Sequence, residues 1–322
     1  MARKPIQPTA AAYATSSTLI AVVAFVILGG GNAVAVRFSN LGLPPFWGAA
    51  ARFLVAAVIF WTILLIRRAA LPRGRSLVGS ILYGALAVGA GYAFLYWGLL
   101  EVQASVAIVI LSLGPLFTML LAVAHRLEPF RWRGLIGALV AVAGIALGVG
   151  AEFGRALPAP SLAALVLGVV CMAEGSVVYK LYPSAKPLPA NVVSVTTGAG
   201  VLLLVSLFAR EPWSLPRNTS TIAAFSYLVV FGTVVLFYLY LFVLLRWTAS
   251  ATSYALLLLP VSTIAIAALV ADERVTWGFV LGSVIALLGV WVGAFAGTPD
   301  EPGGDLAAAT SERCDPPSPG CA

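Results

Sequence analysis

Glu174 is a carboxylate embedded in an apolar run. Such a group is costly in hydrocarbon and marks a functional position when it faces a bundle interior. It can bind an amino group, carry a proton, or pair with a cation such as Lys180 or Arg246. Asn32 follows three glycines and offers both a donor and an acceptor, either to an amino-acid backbone or to another helix. Tyr92 and Tyr96 share one helix face, and Tyr227, Phe231 and Tyr238 repeat the arrangement later in the chain. Each tyrosine joins an apolar face to a hydroxyl. That lining suits an amphipathic solute better than a sugar phosphate, which calls for several convergent cations. Ser253 and Tyr254 are further wall residues; an interfacial belt accounts as well for Trp47, Tyr96, Trp97 and Trp277, and less well for Tyr92 or Tyr238. Arg52 is a lone cation near one end of an apolar run, read as a snorkelling structural or gating charge. Glu101 and Arg246 read as solvated loop edges.

Other chemistries lack their residues. Three cysteines (Cys171, Cys314 and Cys321) and the lone His125 have no metal-ligand spacing. There is no nucleophile–base pair and no phosphate loop, since Gly29–Gly31 lies inside an apolar run. The expectation is a chain that is not an enzyme and carries no cofactor or metal.

The elements that hold these residues must lie in lipid. Hydrophobic residues make up 61% of the 322 positions, charged residues 10%, and the mean hydropathy is +1.01. Soluble domains are roughly a quarter charged. Ten runs of spanning length lie near 17–37, 46–66, 76–99, 104–125, 132–150, 161–181, 190–208, 220–245, 249–271 and 277–296. They predict an all-α membrane protein with ten transmembrane helices. Residues 1–16 form an N-terminal segment, and 297–322, rich in Pro, Gly, Ser and acids, a disordered tail.

The net charge of +7 is spread in short clusters between runs, not along one stripe, so nucleic acid is not an expected partner. With the N-terminus inside, thirteen Lys and Arg fall on the cytoplasmic side and five outside. Both termini are therefore expected in the cytoplasm. Arg3-Lys4 and Ala33-Val34-Ala35 imitate a secretory signal, but the apolar stretch between them is too long for one.

A repeat runs through the chain at an offset of 145 residues. Ala104-Ser105 recurs as Ala249-Ser250, Pro115 as Pro260, Glu128 as Glu273 and Trp132 as Trp277. Gly137, Gly144 and Gly148 recur as Gly282, Gly289 and Gly293, and Pro44 as Pro189. Residues 17–150 and 151–296 thus form two five-helix halves. Five is odd, so the second half enters the membrane inverted, an arrangement found in secondary transporters. Arg52 is not duplicated, because Thr197 takes its place. The glycine triplets place small residues on one face of the fifth and tenth spans, for packing against each other or in a homodimer. Pro115 and Pro260 predict mid-span kinks that can act as hinges.

The acidic residue followed by Gly nine and then seven positions later (Glu128, Gly137, Gly144; Glu273, Gly282, Gly289) resembles the drug/metabolite transporter superfamily. Gly29-Gly30-Gly31-Asn32, Pro44-Pro45 and Ala51-Arg52-Phe53 are similar to the first two spans of its ten-span EamA-type exporters. The resemblance, over about residues 17–296, implies an inner-membrane exporter of small metabolites, and within that the branch exporting aromatic and other neutral amino acids. A second reading makes the chain a proton-coupled exporter of lipophilic cations that uses Glu174.

Overall fold

A computed structural model describes residues 16–127, 132, 136–137, 139–144, 147, 158–182, 186–239, 259–271 and 276–295. Every regular element among them is helical. We number the spans α1 (Ser16–Asn40), α2 (Pro45–Ile66), α3 (Arg75–Gly98), α4 (Ala104–Ala124) and α5 (132–147, described in part). The second half contributes α6 (Ala159–Lys180), α7 (Pro187–Phe208), α8 (Thr219–Leu239), α9 (Leu259–Val270) and α10 (Trp277–Phe295). Seven of these are long and apolar enough to cross a membrane. Phe208 and Leu269 are each 83% exposed, a surface that lipid tolerates and water does not.

Proline and arginine set the span ends. Pro45 and Pro187 occupy the first turns of α2 and α7, where a missing N–H costs nothing. Arg68, Arg126 and Arg210 take left-handed φ of 49°, 59° and 54° just past α2, α4 and α7. There the reversing backbone caps the last carbonyls, as in Ala69 N to Leu64 O at 3.2 Å, and a cation sits at the negative helix end.

Three spans are interrupted. α3 runs as a π-helix over Gly84–Ala90 and α8 over Val230–Val235, the same place in the two halves. α4 stops at Leu111 and resumes at Gly114, with Pro115 in the new first turn. Pro260 is the second described residue of α9, and 240–258 lie outside the described residues. If these prolines are hinges, Pro115→Ala and Pro260→Ala should each slow transport in a flux assay without lowering the yield of folded protein. Unchanged flux in both would leave static bends.

The halves exchange partners. α1 packs on α8 and α9, whereas α6 packs on α3 and α4, and α7 lies along α2 and α3. α5 and α10 meet through small residues. A Cβ on Gly144 would run into the Ala286 amide and Gly282 carbonyl, and one on Gly289 into the Ala141 amide and Gly137 carbonyl. The contact is reciprocal, and it uses both small-residue faces within one chain. Gly293 lies on α10, and Gly148 is outside the described residues.

We call the membrane face carrying residues 40–47, 96–101 and 209–221 the first face. The second carries 67–75, 125 and 179–182.

Candidate functional site

The site is built around the cation that was read from the sequence as a snorkelling charge. Arg52 stands on the eighth residue of α2, roughly 10 Å from the helix start, and is 1% exposed. Instead of reaching the interface, its guanidinium turns inward. Nε donates to Thr233 Oγ1 at 2.9 Å, one terminal nitrogen to Gly232 O at 3.0 Å and the other to Tyr96 Oη at 3.4 Å. The rings of Phe53 and Tyr92 lie 5.0 and 5.5 Å from the guanidinium carbon. A guanidinium has five N–H donors, so hydrogen-bonding capacity is left over. Among the described residues no carboxylate pairs with it.

The π-turn of α8 makes this contact possible. A π-helix shifts the backbone hydrogen-bond ladder by one residue and is frequent at functional sites. Gly232 O, inside the π stretch, accepts from both Arg52 and Asn32, the latter at 3.4 Å. A Cβ at Gly232 would collide with Asn32 Oδ1, so glycine is what lets α8 approach α1 here. Thr233 Oγ1 donates in turn to Leu228 O at 2.8 Å. Among the described residues, the repeat-related place between α7 and α3, where Thr197 stands for Arg52, carries no such centre. Its π stretch in α3 is filled by close packing, with Gly84 against the Ser194 backbone and Ala87 against Gly175.

Four of the sequence-predicted residues come together around Arg52. Asn32 Oδ1 is buried and takes no hydrogen bond from any described residue. Tyr96 is fully buried, and Asn40 donates to its carbonyl at 2.9 Å. Tyr92 meets Phe53 edge-on at 4.8 Å. Tyr227 donates to Leu28 O at 2.7 Å and lies 5.7 Å from Phe231. Tyr227 and Gly31 also line an apolar cavity of about 490 Å³ between α1, α8 and α9, with Ile27, Val34, Phe38 and Val270. Tyr227→Phe should remove one hydrogen bond, worth about 1 kcal/mol, and reduce flux only a few-fold.

Other expectations fall elsewhere. Tyr238 is 63% exposed and stands outside this cluster, because its place on α8 turns it to the bundle exterior. Ser253 and Tyr254 lie outside the described residues. Glu174 sits sixteen residues into α6, roughly 12 Å deeper than Arg52 by helical rise. Its partner is not Lys180 but His125, at the C-terminal end of α4: His125 Nε2 lies 2.7 Å from Glu174 Oε1, and Arg246 lies outside the described residues. Glu174 therefore belongs to the second face and is not part of the tyrosine cluster. Glu101, read as a solvated edge, is exposed but accepts a hydrogen bond from Ser161 at the start of α6.

Glu211, which the sequence did not single out, ties the first face together. Its carboxylate accepts from Phe46 N at 3.2 Å and Trp47 N at 2.7 Å, and from Ser206 Oγ at 2.8 Å. It thereby caps the positive end of α2, which has no side-chain cap of its own. Trp47 stacks on Trp213 at 5.3 Å and donates to Ser214 O at 2.7 Å. Glu211→Ala leaves two half-buried amides without this acceptor and should cost about 1–2 kcal/mol of stability, read as a lower thermal midpoint in detergent.

The sequence profile of the EamA-like transporter family matches residues 15–149 and again 159–294. An inner membrane transporter of Escherichia coli K12, YedA, whose own description leaves it uncharacterized, is 30% identical over 245 residues, 73% of this chain and 77% of YedA. A probable terminal-alkyne amino-acid exporter of Streptantibioticus cattleyicolor is 34% identical over 76 residues, 24% of this chain and 26% of its own. A crystal structure with 18% sequence identity superposes with a TM-score of 0.61 over 87% of this chain and 98% of the other.

Proposed function

The chain belongs to the EamA-like transporter family, and from that premise we propose that it is an alternating-access exporter of neutral amino acids, aromatic ones included. The observation that carries the reading is the buried Arg52 guanidinium, with unused donors and no carboxylate among the described residues. An uncompensated buried cation is costly, and an incoming carboxylate relieves that cost through charge-assisted hydrogen bonds. The unfilled Asn32 Oδ1 suits the amino group of the same solute. Tyr92, Tyr96, Tyr227 and the apolar cavity suit an apolar or aromatic side chain. Since Arg52 is enclosed, substrate takes the place of Gly232 O and Thr233 Oγ1 as α8 moves off α2. The second reading, export of lipophilic cations through Glu174, is weakened by the same arginine, which repels a cation crossing that depth.

The distribution of Lys and Arg supports both termini in the cytoplasm, with the first face outside. The similarity to an E. coli inner membrane transporter supports the bacterial inner membrane as its site. The experiment is flux of a radiolabelled amino-acid panel, with one lipophilic cation, in liposomes of the pure protein with and without a pH gradient. Saturable amino-acid flux supports the reading. Cation flux that needs the gradient, without amino-acid flux, overturns it.

A further inference from the structure

The two halves build the same helix junction twice and finish it differently. α1 meets α8 and α9 at one junction, and α6 meets α3 and α4 at the other. The first junction holds the 490 Å³ cavity, lined by Gly31 of α1 and by Val270 at the end of α9. At the repeat offset of 145, Val270 corresponds to His125, and Glu174 falls opposite the Gly29–Gly31 run. The position of Val270, which borders the apolar opening towards the first face, thus carries an imidazole towards the second, and the position of Gly29, two residues from the lining Gly31, carries a carboxylate 2.7 Å from it.

The pair is suited to being broken and remade. His125 and Glu174 have side chains 34% and 26% exposed, so water can take over their hydrogen bonds when the helices part. Glu174 Oε2 is buried and bonds no described residue, so the carboxylate is held through Oε1. His125 caps the Gly114–Ala124 segment of α4, which is separated from Ala104–Leu111 by the break at Ser112-Leu113. That segment can swing away from α6 without dismantling the rest of the span.

We propose that the His125–Glu174 pair is a latch that holds α4 against α6 and closes the second face, and that it parts when the protein opens to that face. The proposal rests on the alternating-access reading above. Glu174 then acts in the closing of a pathway and does not touch substrate at the Arg52 cluster.

Cys171 provides the test. It lies one turn from Glu174 on the same side of α6, is a free thiol and is partly accessible. In a Cys314→Ser, Cys321→Ser background it is the remaining cysteine of the three in the chain. Its labelling by a membrane-impermeant maleimide is followed in oriented membrane vesicles, from the second face. Glu174→Gln and His125→Ala should each raise the labelling rate several-fold. The exchanged pair, His125→Glu with Glu174→His, should return it towards the parent rate, which a merely loosened fold would not do. Parent rates in both single variants, or an exchanged pair no slower than the singles, would overturn the latch. Amino-acid flux by the parent is measured on the same vesicles. Its absence overturns the transport reading, whereas intact flux with unchanged labelling overturns the latch alone.

Discussion

Arg52→Gln should lower amino-acid flux by roughly 10- to 100-fold, the worth of one charge-assisted hydrogen bond at about 1.5–3 kcal/mol. Glutamine fills much of the same space and can still bond Thr233 Oγ1 or Gly232 O, so the folded state should persist. It carries no charge for a carboxylate. Arg52→Lys should be nearly as impaired. An ammonium is a point donor on a flexible stem and cannot reach Thr233, Gly232 and Tyr96 at once, as the planar fork does. Both variants are checked for monodispersity in detergent before flux is measured. A well-folded Arg52→Gln protein with undiminished flux would return Arg52 to a purely structural role.

The second large effect is expected on assembly. At Gly144 and Gly289 a side chain would meet backbone atoms of the facing helix, which cannot rotate out of the way. Gly289→Ala should therefore destabilise by about 1–3 kcal/mol, and Gly289→Leu should force α10 off α5. The same pair of substitutions at Gly144 should behave alike, because the contact is reciprocal. The measurement is the monodisperse fraction and thermal midpoint after detergent extraction. Leucine at both positions with parental yield and midpoint would show that α5 and α10 do not meet through these glycines.

The spans and their inversion were legible because lipid imposes length and composition on every helix that crosses it. The 145-residue repeat needed no structure either, since Pro, Trp, Glu and Gly recur in order. The interruption of α4 follows from Pro115, whose ring cannot continue a regular helix. The heart of the site was harder to see. Arg52 stands seven residues past Pro45, close enough to the helix start for a snorkelling reading. Only the Gly232 carbonyl in the π-turn shows why the side chain turns inward. Gly232-Thr233 has no sequence signature of a π-helix, because that geometry comes from the packing of α8 on α1 and α2. His125 and Glu174 are 49 residues apart, and their pairing depends on α6 crossing to the other half's α3 and α4. Glu211 was hidden for a similar reason: it caps a helix 164 residues away.

The most direct test of the account removes the carboxylate from the solute instead of the arginine from the protein. Uptake of a labelled neutral amino acid by counterflow is measured in liposomes, with the free amino acid, its methyl ester or the corresponding decarboxylated amine as competitor. The free amino acid should compete, and the ester and the amine should not. In Arg52→Gln liposomes the preference for the carboxylate should disappear along with most of the flux. An ester or amine that competes as well as the amino acid in the parent protein would contradict it, because Arg52 would then have no carboxylate to hold.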